Sequence, residues 1–210
     1  AARFPAVEIN SSFYRDHLPK TYARWAATVP EGFRFSVKLS REITHDLALE
    51  ASAEILRSKL GPITELGKNL GALLVQLPPS LAFSEKKATK FFGALRQTFV
   101  GPTAIEPRHP SWASKPARSV FREFGITQAL VDPERCPTDD FQARTGGGFY
   151  YFRLPGSPEI YRSAYPPKLL TELAATLDRA KRCLPGWCIF DNTTFGYAAR
   201  DALSVREALR

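Results

Sequence analysis

No methionine occurs anywhere in the 210 residues. An initiator is therefore absent. Its removal is one reading, because the chain starts on Ala1; an upstream truncation is the other, and the strand count below favours it. Cysteine is scarce: Cys136, Cys183 and Cys188 are an odd set without framework spacing. That argues against a disulfide scaffold and fits a reducing, cytoplasmic setting. Cys183 and Cys188 enclose Pro185 and Gly186, which is poor zinc geometry, so the cysteines are read as packing residues. Histidine is limited to His17, His45 and His109, which leaves a His-rich multi-zinc site poorly supported. No apolar run approaches the ~18 residues of a membrane-spanning helix. The opening Ala1-Ala-Arg-Phe-Pro5 has no apolar core, so no signal peptide is visible. No serine sits in a nucleophile elbow, no cysteine has an obvious base partner, and no glycine-rich phosphate fingerprint follows a strand.

What is present suits one globular domain spanning 1–210. Hydrophobic residues make up 44%, enough for one sizeable core, and charged residues 24%, too few for disorder by composition. The net charge of +8 permits attraction to phosphates or nucleic acid. The Lys and Arg residues are scattered, with no run of five, so a solvated basic surface is the plainer reading.

Hydrophobic periodicity gives seven strands, at 7–10, 33–38, 72–77, 103–106, 128–131, 149–153 and 187–191. Helices are expected at 20–28, 47–66 with a break at Gly61-Pro62, 84–98, 112–124, 167–183 and 195–209, with 11–15 as a loop. The polar segment 133–148 shows no convincing helix, and loops of that length are often functional. Alternating strands and helices, with strands such as Ala72-Leu-Leu-Val-Gln-Leu77 apolar on both faces, imply a parallel sheet. A closed (β/α)8 TIM-type barrel needs eight strands. The expectation is that barrel with its first strand absent from this chain; an open doubly wound sheet is the alternative.

Parallel barrels carry their chemistry at the carboxyl ends of the strands. Here every predicted strand delivers a polar group at that end: Glu8 and Asn10, Lys38, Gln76, Glu106 with Arg108, Asp132, Arg153, and Asp191 or Asn192. The densest stretch is Glu106-Pro-Arg-His-Pro-Ser-Trp112, where an acid, a fixed cation and an imidazole fall within four residues. Such groups are costly to bury unless they pair.

The chain resembles the DUF72 (YecE-like) family of uncharacterised TIM-barrel proteins. The matching stretches are Val7-Glu-Ile-Asn-Ser-Ser-Phe-Tyr14, Pro30-Glu-Gly-Phe-Arg-Phe-Ser-Val-Lys38, Ile43-Thr-His45, Leu70-Gly-Ala-Leu-Leu-Val-Gln-Leu-Pro-Pro79, Glu106-Pro-Arg-His-Pro-Ser-Trp112, Tyr151-Phe-Arg153 with Gly156, and Phe190-Asp-Asn192. They run in order over nearly the whole chain. The resemblance implies the barrel and a shared polar pocket, but no settled activity. A glycine-rich first strand that the family usually carries is missing here, in agreement with the strand count.

The leading functional expectation is a cytoplasmic enzyme acting by acid–base chemistry on a small anionic or hydroxylated ligand. Glu106 and Glu8 are the candidate acid and base, and His109 a further candidate catalytic group. Arg108, Arg153 and Lys38 are candidate anion clamps. Asn10, Tyr14, His45, Trp112 and Asn192 complete the candidate ligand set, with Tyr151 and Tyr161 as stacking candidates. The opposing reading is that Arg108, Lys38 or Arg153 neutralises each glutamate in a buried network, which would keep both ionised and poor as acids. No cofactor is predicted; a single Mg²⁺ on Glu8, Glu106 or Asp132 is the one metal reading left open. Two other functional classes stand beside the enzyme: a nucleic-acid-binding or phosphodiester-acting protein using the basic surface, and a non-catalytic small-molecule sensor.

Overall fold

A computed structural model describes residues 3–132 and 144–209. Strands and helices alternate along them. β1 (Ala6–Ile9) leads into a short helix α1 (Ser11–Tyr14) and then α2 (Pro19–Ala27). β2 (Arg34–Lys38) is followed by a π-helical turn (Glu42–Asp46), α3 (Ala53–Leu60) and a 3₁₀ segment (Gly61–Asn69). β3 (Leu70–Gln76), α4 (Glu85–Thr98) and β4 (Thr103–Glu106) come next. A 3₁₀ turn (Pro110–Ala113) precedes α5 (Lys115–Glu123), β5 (Ile126–Gln128) and β6 (Leu130–Val131). The chain closes with β7 (Tyr150–Leu154), α6 (Pro167–Lys181), β8 (Gly186–Phe190) and α7 (Tyr197–Ala208).

All recorded strand pairings are parallel. They form a five-stranded sheet, β1-β2-β3-β4-β5, and a three-stranded sheet, β6-β7-β8. The single strand expected at 128–131 is in fact two. β5 starts two residues earlier and pairs with β4, Ala129 interrupts, and β6 pairs with β7. Eight strand segments therefore replace the seven expected among the described residues.

Helix starts follow their capping residues. Ser52 accepts a hydrogen bond from the Ile55 amide, so α3 begins at Ala53 and not at 47. Ser114 does the same for α5, which leaves Trp112 in the preceding 3₁₀ turn. Ser11–Tyr14, expected as a loop, is a single helical turn.

Period-two alternation sorts each strand into two faces. Phe35, Val37, Leu73, Val75, Ile105 and Ile126 pack outward against the helices. Ala72, Leu74, Ala104, Ala129, Phe149 and Tyr151 form one buried cluster, joined by Trp187 and Ile189. That cluster draws on both sheets, so the two sheets face each other across it. Cys183 and Cys188 are free, whereas Cys136 lies outside the described residues. Burial pushes the Cys188 thiol up to about 12. No described helix is long and apolar enough to cross a membrane.

Candidate functional site

The inner-face register that buries Leu74 and Ala104 carries polar residues one step further toward the carboxyl ends. Two residues on stand Gln76 and Glu106; on the other strands the same face offers Glu8, Ser36, Lys38, Tyr151 and Arg153. These side chains meet around one guanidinium. Arg153 Nη2 donates to Glu8 Oε1 at 2.8 Å and to Asp191 Oδ2 at 2.7 Å, and Nη1 donates to Glu106 Oε2 at 3.1 Å. Nε donates to both Glu8 oxygens at 3.1 and 3.2 Å. Only 1% of the Arg153 side chain is exposed.

The carboxylates are held from their other sides too. Tyr151 donates its hydroxyl to Glu8 Oε2 at 2.7 Å. Ser36 lies 2.7 Å from the same tyrosine oxygen and must therefore be the donor there. Gln76 donates to Glu106 Oε1 at 2.7 Å, and Arg108 Nε donates to the same atom at 3.2 Å. Asn10 donates to Asp191 Oδ1 at 3.0 Å. A buried ion network of this kind is tolerable because each charge has hydrogen-bonded partners.

The charges are shared unequally, which sets the direction in which each pKa moves. Burial drives Glu106 toward its neutral form, but Arg153, Arg108, Gln76 and Lys38 outweigh it and hold the carboxyl below its usual range. Asp191 goes the other way. Burial raises it, and the Glu8 and Glu106 charges add to the rise, so its share of Arg153 does not compensate. Burial also lowers Lys38, as does repulsion from Arg153, and the nearby carboxylates recover only part, which leaves it at about 8. Lys38 Nζ stands 4.0 Å over the Phe13 ring. Among the described residues, no carboxylate lies within ion-pair distance of it. His45 packs edge-on against the same ring, at 5.0 Å between centroids. Its pKa is lowered by burial and by Arg41, Lys38 and Arg108, which outweigh the opposing charge of Asp46.

Of the residues expected at the site, Glu8, Glu106, Arg108, Arg153 and Asn10 are directly hydrogen-bonded into this network, and Lys38 and His45 adjoin it. The others sit elsewhere. His109 accepts from the Ser111 amide and lies 2.8 Å from the Ser111 hydroxyl, in the turn that starts the 3₁₀ segment. Trp112 is core: it is buried, stacks with Phe121 and donates to the Leu81 carbonyl. Tyr14 is exposed and touches Phe13 edge to face. Asn192 donates to the Ser163 carbonyl and to Asp201, which ties the loop after β8 to α7. Asp191 is the member that sequence reasoning left undecided. Trp187, Ile189 and Asp191 share one face by alternation, and that pattern was enough to choose it over Asn192. Tyr151, expected to stack on a ligand, serves as a hydrogen-bond donor.

For a metal, Glu8 and Glu106 present no unengaged oxygen, and no group of three or more His, Cys, Asp or Glu side chains suited to one occurs among the described residues. The larger cavity lies elsewhere. It holds about 540 Å³ at the amino ends of the strands, between β1 and β8, and is lined mainly by apolar groups such as Phe4, Ala6, Gly71, Phe149 and Trp187. It is large, but the charged cluster around Arg153 is at the opposite end.

Parallel strands facing each other across a charged cluster at their carboxyl ends define an α/β protein whose polar groups converge where such folds place chemistry. The profile described as "Protein of unknown function DUF72" matches residues 1–210, and the chain belongs to that family. It is similar to the UPF0759 protein YecE of Escherichia coli K12, 28% identical over 133 residues, covering 63% of this chain and 48% of that protein. The UPF0759 protein YunF of Bacillus subtilis is 27% identical over 123 residues, covering 55% of this chain and 43% of YunF. The chain thus spans about half the length of the curated relatives it matches. Among solved structures, the DUF72 family protein TM1631 of Thermotoga maritima is 27% identical, with a TM-score of 0.81 over 98% of this chain and 85% of that one. The DUF72 family protein EF0366 of Enterococcus faecalis has a TM-score of 0.83 at 24% identity, covering 99% of this chain and 90% of that one, which speaks for the fold.

Proposed function

We propose that this protein is an enzyme that performs acid–base chemistry on a small anionic or hydroxylated ligand, with Lys38 and Asp191 as the proton-exchanging groups. One observation supports this most: Arg153 is shared by three carboxylates, while Lys38 has none within ion-pair distance among the described residues. Glu8 and Glu106 then act as fixed anions that hold Arg153 in place. Lys38 and Asp191 are both moved toward neutrality by their environments, one down and the other up. The value of about 8 suits Lys38 to proton exchange near neutral pH, and the upward direction at Asp191 favours its protonated form. Arg108, 19% exposed at its side chain, and Lys38 supply the attraction for an anion.

The reading includes the architecture. The two sheets are taken as arcs of one barrel of the (β/α)8 type, supported by their parallel pairings, by their shared inner cluster, and by the Asn10–Asp191 hydrogen bond between the ends of β1 and β8.

The test is a thermal-shift screen against phosphorylated sugars, small carboxylates and inorganic phosphate. A ligand that binds only the folded state raises the apparent stability by ~2.7 kcal/mol at a hundred times its Kd. The expected result is a shift with one or more of these anions that is lost in Arg108→Ala and Lys38→Met. If no anion shifts the transition, or the shift survives both changes, the reading fails.

A further inference from the structure

We propose that the Lys38 amine is a nucleophile that forms an imine with an aldehyde or ketone carrying a carboxylate or phosphate group. The inference rests on the acid–base reading above and names the substrate class of the same site.

The argument begins with what surrounds the nitrogen. Lys38 ends β2 on the inner face and is 5% exposed. A lysine buried this far ordinarily keeps its charge through a carboxylate partner. Here the Phe13 ring lies under the ammonium at 4.0 Å, and the carboxylates within reach are taken up by Arg153, Arg108, Tyr151, Gln76 and Asn10. The nitrogen can therefore lose its proton without abandoning a buried anion. Only the free amine attacks a carbonyl, and an apolar neighbour together with nearby cations is the setting that activates a lysine in this way. Its lowered pKa of about 8 agrees with that geometry.

There is space beside the amine. Lys38 lines a cavity of about 270 Å³ together with Ser12, Asp16, His17, Ser40 and Lys59, the last of which is paired to Asp16. Lys59, which lines the same cavity, and the part-exposed Arg108 beyond it are the cations that favour an anionic substituent on the carbonyl compound.

The chemistry balances with groups already present. The amine lone pair attacks the carbonyl carbon, a carbon–nitrogen bond forms, and the carbonyl π pair moves to oxygen. That oxygen gains a proton as the nitrogen loses one, the proton passing through solvent. The carbinolamine hydroxyl then takes a second proton and leaves as water. One ammonium and one carbonyl become one iminium and one water, and no oxidant or reductant is consumed.

The test is reductive trapping on the full chain. Pyruvate and, separately, glycolaldehyde phosphate are added with sodium cyanoborohydride, whose hydride converts an imine to a stable secondary amine, and the adduct is located by peptide mass mapping. Lys38 is expected to be labelled roughly tenfold or more faster than the average of the other lysines, because far more of it is free amine at neutral pH. Inorganic phosphate should slow that labelling. Lys38→Arg keeps the cation and should lose the adduct, with circular dichroism confirming the fold. Labelling spread over exposed lysines, with Lys38 unmodified in wild type, overturns the imine. If anions still raise the melting temperature in that case, the acid–base reading survives; if they do not, both fall. Labelling of Lys38 that ignores phosphate keeps the imine and removes the anionic substituent.

Discussion

Lys38 carries the clearest consequence at the scale of one residue. Its folded form gives up its proton near pH 8, whereas the unfolded chain does so near the ordinary 10.5. Between these values the unfolded state binds more protons, so stability rises as pH climbs through the window. Below pH 8 the cost of the buried ammonium is present in full. The expected gain from pH 8 to 10.5 is ~3 kcal/mol, taking 1.36 kcal/mol for each tenfold change. Urea denaturation along that range should show wild type gaining stability relative to Lys38→Met, a difference in which the shared cysteine and tyrosine contributions cancel. Cys188 and Tyr151 work in the opposite direction, because burial holds their protons in the folded state at pH values where the unfolded chain has begun to lose them. Residue identity was the most legible part of the site. Glu8, Lys38, Glu106, Arg108 and Arg153 could be named because polar groups at the ends of apolar strands stand out. Their partners could not. Whether Glu106 is a free acid or a pinned anion depends on Arg153, 47 positions away in the chain.

At the scale of elements, the loop after β7 shows how one backbone position is constrained. Gly156 has φ +100°, and a Cβ there would lie 3.0 and 3.1 Å from the Ser163 and Glu159 carbonyl oxygens. Its amide also donates to the Tyr165 hydroxyl at 2.9 Å. Gly156→Ala is expected to destabilise the fold by about 1–3 kcal/mol, read as a lower denaturation midpoint with an unchanged slope. Strand positions were largely legible because β3 and β4 are apolar runs with clear ends. The break at Ala129 was not, since it reflects a change of pairing partner from β4 to β7 and leaves no mark in local periodicity. Helix starts shifted wherever a serine cap lay further along than the apolar pattern suggested, as at Ser52 and Ser114.

At the scale of the molecule, Arg153 joins the second sheet to the first. It reaches β1 through Glu8 and β4 through Glu106, as well as the end of β8 through Asp191. Arg153→Met would leave three buried carboxylates sharing the remaining cations. The expected loss is about 3–5 kcal/mol, measured by equilibrium urea unfolding, and it should shrink when Glu8→Gln and Glu106→Gln are added. A carboxamide needs no counter-charge, so partial recovery separates electrostatics from lost packing. The convergence of the strand ends followed from the alternation of strands and helices, but their bonding pattern depends on inter-sheet geometry that no local window contains.

The contacts of Arg153 span 145, 47 and 38 positions of sequence. Loops of such length close late, after local helices and neighbouring strands have paired. Arg153 therefore fastens an assembly that has already formed. Its removal should leave the rate of refolding nearly unchanged and fall almost wholly on the rate at which the native state opens.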